Sequence, residues 1–322
     1  MDKKTIYLAG GCFWGAEHFF QQIGGILSTR TGFANGNTEN PTYKEVYTDT
    51  TGYAETVRIE YNPARISLEK LLNLYFMIID PTSLNCQGED HGTRYRTGIY
   101  FTDHAERGVI QKVYAEQEAK TAEEMKAGGL EPKKLAVEVE PLKNWYSAED
   151  YHQDYLNRNP DGYCHLPLKT FVYAKLLSEL ELLLGDEPDV IARMSNTAAM
   201  IHQRMHFWWT GFYIVKPQVG GGGEELVLGP FQGPEACFRI RKGRGVCGAA
   251  WERNATVVVP NVHEFPGHIA CSSLSQSEIV VPVYDRAGSF AAELDIDSKD
   301  LETFDRTDKA WLEMIVKLIY AG

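Results

Sequence analysis

The pattern of the sequence changes near residue 168, and this change constrains the fold more than any other feature of the chain. Strand-like and helix-like segments alternate before it, whereas two helical stretches and then six short strand-like runs follow it. A chain of 322 residues is longer than a single hydrophobic core usually serves. The sequence contains no convincing internal repeat, so it predicts two unrelated domains, residues 1–168 and residues 169–322.

Four segments of the first half have the character of β-strands. Apolar and polar residues alternate in Val57–Tyr61 and in Leu135–Val139, which is the period of a half-buried strand. Thr5–Leu8 and Ile99–Phe101 are short apolar runs. Half-exposed strands need a covering layer on one face only, so this half is expected to be an α+β, two-layer sandwich.

Each predicted helix of the first half begins at a residue type that caps helices. Ser67 precedes an amphipathic segment that a proline stops, and Asp103 opens a longer polar helix that ends at a pair of glycines. Ser147, with Asp150 three residues later, resembles a capping box and predicts a third helix that stops before Pro160.

The second half is expected to form an antiparallel sheet flanked by helices, because its strands are short and sequential. After an opening helix and a second helix at Val190–Met205, the strand-like runs are GFYIV, ELVLG, CFRIR, TVVVP, SEIVVPV and FAAELDI. Glycine and proline turns separate these runs, and an amphipathic helix closes the chain.

Composition and charge exclude several classes of function. The chain carries 32 basic and 44 acidic residues, a net charge of −12, and has no basic cluster. Nucleic acids and anionic membranes are therefore not expected partners. No apolar stretch reaches the roughly 18–20 residues of a membrane-spanning helix, and the N-terminal segment lacks the apolar core of a signal peptide. We expect a cytoplasmic protein whose six cysteines do not form a structural disulfide framework.

Cys12 lies in the segment GGCFWG, between a predicted strand and a helix-like run. A thiol at a helix N-terminus is close to the positive end of the helix dipole and tends toward the thiolate. The two aromatic residues that follow, Phe13 and Trp14, can enclose a methyl-bearing group. Taken alone, the segment fits a buried turn better than an active site.

The motifs of the first half, taken together, resemble those of methionine sulfoxide reductase A. They occur in order as GCFWG, PTYKEV, GYAETV, QGEDHGTRYRTGIY and YHQDYLNRNPDGYCH. The resemblance implies reduction of the S-sulfoxide of methionine, free or in proteins, by attack of Cys12 on sulfur while Glu55 protonates the oxygen. The residues that it implies for substrate binding are Phe13, Trp14, Tyr43, Asp90 and Tyr95.

The same resemblance implies a second thiol. Cys12 would leave the first step as a sulfenic acid, which another cysteine converts to a disulfide. Cys164 stands where many members of the family carry this resolving cysteine. Cys86, four residues before Asp90, is either a competing resolving cysteine or a buried spectator. Thioredoxin or another dithiol would reduce the disulfide, and no bound cofactor is implied.

The second half contains three further cysteines, Cys237, Cys247 and Cys271, whose spacing fits no metal site. Outside a motif context such a trio is usually packing. Its surroundings, however, resemble free methionine-R-sulfoxide reductase, a GAF-fold enzyme, in the segments WWTGFY, LVLGPFQGPEACFRI, GRGVCGAAW, VHEFPGHIACSS, SEIVVPV and ELDIDS.

This second resemblance implies reduction of the R-sulfoxide of free methionine, with Cys271 as nucleophile and Cys237 as its resolving partner. Cys247 is the alternative nucleophile or a relay. Free methionine sulfoxide is a zwitterion, so its pocket needs acidic groups, and clustered carboxyls raise one another's pKa so that one can stay protonated. The implied pocket residues are Trp209, Tyr213, Glu278, Asp295 and Asp297.

Three other interpretations were weighed against these two. The GAF-like half can be a non-catalytic sensor of a small ligand or of redox state, and the first half can be a thiol peroxidase. Gly243–Gly248 also matches the G-x-G-x-x-G of dinucleotide sites, but the helix that follows is too short for a crossover connection. The sequence leaves both a monomer and a homodimer open.

Overall fold

The protein, described here by a computed structural model over residues 3–267 and 274–321, divides into two compact units. They comprise Met1–Ala174 and Lys175–Gly322. The chain passes from one unit to the other within a helix, Leu168–Leu184, a few residues after the boundary expected at residue 168. None of the described helices is long and apolar enough to cross a membrane.

The first unit is built on a six-stranded sheet with a small hairpin and five helices. Its strands are β1 Lys4–Gly10, β2 Ile26–Ala34, β3 Ala54–Tyr61, β4 Cys86–Gln87, β5 Asp90–His91, β6 Thr97–Phe101, β7 Glu138–Pro141 and β8 Trp145–Ser147. Its helices are α1 Phe13–Gln21, α2 Tyr43–Val46, α3 Leu68–Phe76, α4 Arg107–Ala127 and α5 Tyr155–Arg158. The sheet order is β7-β6-β1-β3-β2-β8, antiparallel except between β6 and β7, and β4 pairs only with β5. The predicted α+β class is confirmed.

Two of the predicted helix starts are confirmed. Ser67 is the N-cap of α3 and its side chain accepts a hydrogen bond from the Lys70 backbone N–H. Asp103 caps a short 3₁₀ turn that leads into α4, which ends at Gly128. Local capping chemistry was therefore a reliable guide at these two helix starts.

The predicted helix from Ser147 is wrong. Ser147 ends β8 and pairs with Gly32 of β2, and its hydroxyl accepts a hydrogen bond from Arg30 Nε at 2.7 Å. The Gln153 side chain then bonds both the N–H and the C=O of Thr31, at 3.0 Å each. Pairing with the sheet therefore outweighs the local capping pattern, and before Pro160 the segment forms only a 3₁₀ turn at Asp150–His152 and the four-residue α5.

A second predicted element is shorter in the structure than the sequence indicated. The strand expected over Leu135–Val139 begins only at Glu138, where β7 pairs with β6. Leu135 and Val137 are nevertheless buried. The alternation of apolar and polar residues therefore predicted correctly which side chains are buried, but it did not predict which residues pair with a neighbouring strand.

The second unit has a six-stranded sheet and three helices of its own, beyond the helix α6 that carries the boundary, Leu168–Leu184. The strands are β9 Trp209–Pro217, β10 Glu224–Gln232, β11 Arg239–Ile240, β12 Val257–Val259, β13 Ser277–Tyr284 and β14 Phe290–Ser298. The helices are α7 Val190–Met205, α8 Gly245–Arg253 and α9 Arg306–Ile315. The order is β11-β10-β9-β14-β13-β12 and every pairing is antiparallel. All six predicted strands are present.

The G-x-G-x-x-G segment serves the turn into α8 and not a dinucleotide fold. The strands on either side of this helix, β11 and β12, lie at opposite edges of an antiparallel sheet, so no parallel crossover unit exists here. A methyl group at Gly248 would overlap the Arg241 carbonyl oxygen. Close backbone approach therefore explains this glycine.

Candidate active sites

The first site forms where the sheet brings β1 and β3 together. Cys12 is separated from the end of β1 by one residue and is the N-cap of α1, with only 5% of its surface exposed. Glu55 lies on the neighbouring strand β3 and is fully buried. Its Oε2 accepts a hydrogen bond from the Phe13 backbone N–H at 3.1 Å, so the carboxyl is held at the same helix terminus as the thiol.

Glu55 has the electrostatic properties of an acid that keeps its proton near neutral pH. Burial raises its pKa to about 8, although the Phe13 N–H and the Arg94 guanidinium oppose this rise. Its second oxygen, Oε1, has no hydrogen-bond partner among the described residues. A protonated carboxyl with one free oxygen is suited to donate a proton to a bound molecule.

The thiolate expected at Cys12 from the helix dipole is not favoured in this structure. Burial raises the pKa of the thiol well above its ordinary value, and the nearby Glu55 carboxyl raises it further. The Trp14 backbone N–H acts in the opposite direction but is the weaker influence. The correction follows from geometry, because the dipole acts on a thiol that is almost completely removed from water.

Two tyrosines come from separate elements to the same site. Tyr43 is the first residue of α2, which a capping box between Thr42 and Glu45 fixes, and Tyr95 ends a short 3₁₀ turn. Burial raises the pKa of both phenols, that of Tyr95 to about 12, and Glu55 and Cys12 raise them further. Both are therefore neutral hydroxyl donors at physiological pH.

The two aromatic residues after Cys12 have different environments. Phe13 is buried, with ring centroids 5.9 Å from Phe33 and 6.5 Å from Tyr43. Trp14 is partly exposed and stacks on Tyr155 at 3.8 Å. Its indole N–H donates to His152 Nδ1 at 3.1 Å. Sequence reasoning missed His152, which the YHQDY motif carries and which lies against the Tyr43 ring at 4.4 Å.

The contacts of the two other cysteines of this unit differ. Cys164 lies against α1, since a methyl group at Gly15 would be 2.9 Å from its Sγ. Cys164 is also among the charged groups that raise the pKa of Cys12. Cys86 Sγ instead contacts its own hairpin, at 3.4 Å from the Gly88 carbonyl and 4.0 Å from His91 Nε2. The described contacts therefore bring Cys164, and not Cys86, to the helix that Cys12 caps.

The second site is a row of carboxyls on one face of β13 and β14. Glu293, Asp295 and Asp297 alternate along β14, so their side chains share a face of the sheet. Glu278 of β13 lies opposite Asp297 in the antiparallel register. Helix α8 packs against these strands and places Cys247 Sγ 4.0 Å from Glu278 Oε1.

Burial dominates the electrostatics of this row. It raises the pKa values of Glu278, Glu293 and Asp295 well above their usual range, and the neighbouring carboxyls raise them further. Burial also raises the pKa of Asp297 to about 6, opposed by Ser275. Sequence reasoning missed Glu293, although the two-residue alternation in ELDID places it on the same face.

All five predicted pocket residues of the second unit line one pocket together with Cys247. The rings of Trp209 and Tyr213 lie 6.1 Å apart on β9. Two hydrogen bonds hold them, from the Trp209 indole N–H to the Pro234 carbonyl at 3.0 Å and from the Tyr213 hydroxyl to the Cys237 carbonyl at 2.9 Å. Trp209 pairs with Asp297 and Tyr213 with Glu293 in the register of β9 and β14, so the aromatic side chains lie beside the carboxyls on the same face of the sheet.

The cysteines of the second unit are in different states. Cys237 is disulfide-bonded, whereas Cys247 is free, as are the three cysteines of the first unit. Cys271, the expected nucleophile, lies outside the described residues. Burial raises the pKa of Cys247 well above its usual value, with Asp295, Glu293 and Glu278 acting in the same direction.

One group of side chains among the described residues has a spacing that could hold a metal ion. Ligand atoms of Cys247, Glu278 and Asp295 lie within 4.8 Å of one another. The raised pKa values of these three groups mean that a cation would have to displace protons at neutral pH.

A family model described as peptide methionine sulfoxide reductase matches residues 4–180. The peptide methionine sulfoxide reductase MsrA of Clostridium acetobutylicum is 51% identical over 164 residues, which cover 51% of this chain and 95% of that protein. A solved structure of free methionine-R-sulfoxide reductase from Neisseria meningitidis, in complex with its substrate, has 45% identity and a TM-score of 0.45, with 48% of this chain and 90% of that chain covered. The reduced fRMsr of Staphylococcus aureus has 42% identity and a TM-score of 0.43, with 46% and 92% covered.

Proposed function

This chain belongs to the peptide methionine sulfoxide reductase family, a family of oxidoreductases, and we propose that its first unit reduces the S-sulfoxide of methionine, free or in proteins. One observation carries the proposal. The buried thiol of Cys12 and the buried carboxyl of Glu55 meet at one helix terminus, where Glu55 binds the Phe13 N–H and has a pKa of about 8. A thiol beside a protonated acid is the pair that sulfoxide reduction needs.

In the first step, Cys12 Sγ attacks the sulfoxide sulfur while Glu55 gives a proton to the sulfoxide oxygen. Tyr43 and Tyr95 donate hydrogen bonds to that oxygen as its charge grows. Oxygen passes to Cys12, which becomes a sulfenic acid, and methionine leaves with a two-electron reduced sulfur. Phe13 and Trp14 enclose the methyl group of the substrate, and Asp90 supports the polar side of the pocket.

In the second step, Cys164 attacks the sulfenic sulfur, releasing water and forming a disulfide with Cys12. The position of Cys164 against Gly15 supports this assignment over Cys86. A thioredoxin-type dithiol then reduces the disulfide, with no bound cofactor. The free thiols of the first unit fit a reducing compartment, and we propose the cytoplasm.

For the second unit we propose reduction of the R-sulfoxide of free methionine. Asp297 and its neighbours would bind the substrate ammonium, one of the protonated acids would serve the sulfoxide oxygen, and Trp209 and Tyr213 would contact the thioether. Cys271 remains the proposed nucleophile with Cys237 as its resolving partner. Cys247, which lies 4.0 Å from Glu278 Oε1, is the alternative nucleophile or a relay.

The alternative for this unit is a non-catalytic sensor of a small ligand or of redox state that regulates the first unit. The same acidic and aromatic pocket could bind an amino acid without reducing it. Catalysis and sensing differ in one respect, since only the enzyme consumes its ligand.

Chiral separation of racemic free methionine sulfoxide, incubated with the full chain and dithiothreitol, tests both proposals. We expect Cys12→Ser to consume only the R isomer and Cys271→Ser only the S isomer. Cys86→Ser is the matched control and should consume both. Persistence of the R isomer with the unaltered chain would favour the sensor, and peroxide consumption without sulfoxide reduction would identify a thiol peroxidase.

A further inference from the structure

His165 is a buried titratable residue that the proposed steps do not use. It follows Cys164 directly, and only 5% of its side chain is exposed. Neither ring nitrogen has a hydrogen-bond partner among the described residues. A buried imidazole without partners is costly, so its position calls for an explanation.

The ring lies over the start of α1, close to both cysteines of the proposed mechanism. A methyl group at Gly15 would be 2.9 Å from Cys164 Sγ and 3.5–3.6 Å from two ring atoms of His165. One at Gly11 would be 3.3 Å from His165 Nε2. The imidazole therefore contacts the residues on both sides of Cys12 along the chain, and shares a neighbour with the Cys164 thiol.

Asp90 is placed to hold a positive charge on this ring. Its Oδ2 is 3.7 Å from His165 Nδ1 and has no hydrogen-bond partner among the described residues. Its other oxygen accepts a hydrogen bond from the Tyr163 hydroxyl at 3.0 Å. The titratable groups around the ring are thus Asp90, Tyr163 beyond it, and the Cys164 thiol. Burial lowers the pKa of His165 and Asp90 opposes this, so the ring rests neutral and can accept a proton.

We propose that His165 is the general base and acid of the resolving step, with Asp90 orienting it and stabilising its protonated form. His165 takes the proton of Cys164 as that sulfur attacks the sulfenic sulfur of Cys12, and returns it to the departing hydroxide. The S–S bond forms as the S–O bond breaks, and Cys–SOH and Cys–SH become a disulfide and water. No external oxidant is required. The inference rests on the proposed function of the first unit.

A single-turnover experiment separates the two steps. The reduced full chain is mixed, without reductant, with an S-sulfoxide of N-acetylmethionine amide, whose blocked groups exclude it from the free-amino-acid reaction. The reduced product, N-acetylmethionine amide, is quantified over time. Dimedone quenching and peptide mass spectrometry then report Cys12 sulfenic acid and the Cys12–Cys164 disulfide separately. The variants are His165→Gln, Cys164→Ser as the reference for trapped sulfenic acid, and His104→Gln as an exposed-histidine control.

We expect His165→Gln to release N-acetylmethionine amide in the first turnover at the unaltered rate, but to form the disulfide at least about tenfold more slowly while sulfenic acid accumulates. His104→Gln should match the unaltered chain in both steps. Disulfide formation at the unaltered rate in His165→Gln overturns the inference. Failure of the unaltered chain to form N-acetylmethionine amide overturns the proposed function instead.

The pH dependence of the unaltered chain is a second test that does not depend on the folding of a variant. With a histidine base, the rate of disulfide formation should increase with pH up to about neutrality, as the ring loses its proton. Above neutral pH the rate should be constant, because the ring is already neutral. Without one, the rate follows the Cys164 thiolate and rises about tenfold per pH unit, since burial raises the pKa of that thiol. A continuous rise of this second kind between pH 6 and 9 contradicts the proposal.

Discussion

The two sites bury acids in different numbers and arrangements, and the difference indicates what each can recognise. At the first site one fully buried carboxyl, Glu55, lies beside Cys12 at a helix terminus with two neutral tyrosines. At the second, four carboxyls occupy one sheet face under α8. A single protonated acid can serve a sulfoxide oxygen but offers nothing to an ammonium group. A row of acids can do both, which suits a free amino acid.

Replacing Glu55 is expected to have the largest effect. Glu55→Gln keeps an acceptor for the Phe13 N–H but removes the proton, so kcat for a peptide S-sulfoxide should fall by about 10²–10⁴-fold. The second unit should keep its activity on the free R-sulfoxide. Steady-state kinetics with the two substrates on the same preparation measure both.

The protonation state of Glu55 also predicts how the activity of the first unit changes with pH. The active form of Glu55 is the protonated one, so activity of the first unit should fall as pH rises through about 8, and this fall should vanish in Glu55→Gln. Glu106→Gln is the matched control, since Glu106 is an equally buried carboxyl of the same unit that binds Lys4 and Tyr61 instead. An unchanged kcat in Glu55→Gln would show that the proton comes from another group.

A smaller effect is expected from Asp297, and on binding instead of chemistry. If its carboxylate binds the substrate ammonium, Asp297→Asn should raise KM for free methionine R-sulfoxide at least about tenfold with a smaller change in kcat. Peptide sulfoxide reduction should be unaffected, which separates the two sites.

The ionised form of Asp297 is the binding form, so the affinity of the second unit should increase as pH rises through about 6. Asp300→Asn, an exposed acid beyond the end of β14, is the control and should bind as the unaltered chain does. Isothermal titration with the Cys271→Ser variant gives the affinity without turnover. Equal affinities at pH 5 and pH 7.5 would remove Asp297 from ammonium recognition.

The sequence predicted the strands and the capped helices well because their signals are local. Ser67 and the alternation of β14 are examples, since each depends on neighbours within a few residues. It failed at Ser147, where pairing with Gly32, distant in the chain, decides the structure. The same limit applies to chemistry: the helix dipole at Cys12 is visible in sequence, but the burial that raises its pKa is not.

The residues that sequence reasoning missed also divide into those with a local sequence signal and those whose surroundings only the fold determines. Glu293 was accessible in principle, because strand periodicity places it in line with Asp295 and Asp297. His152 and His165 were not, because their importance depends on which side chains surround them in space. Motif resemblance is the basis for proposing Cys12, Cys164 and Glu55 as site residues, but it does not indicate which neighbours change their pKa values.

The smallest expected effect is on the stability of the second unit. Measuring it tests whether the row of carboxyls at the second site is protonated in the folded state. The folded pKa of the fully buried Glu293 is raised well above its usual value, so the unfolded chain releases a proton that the folded unit retains. Stability from this group is therefore complete below pH 4.5 and declines as pH rises toward the folded pKa.

Glu293→Gln removes this decline. It should stabilise the second unit at pH 8 and change its stability little at pH 4.5. Pulse proteolysis of the full chain in urea, with mass spectrometry to follow each unit, measures this, and the first unit serves as the internal control. A loss of stability at pH 8 would mean instead that Glu293 is ionised and paired in the folded unit. The row of carboxyls would then be a charged binding surface and not a set of protonated acids.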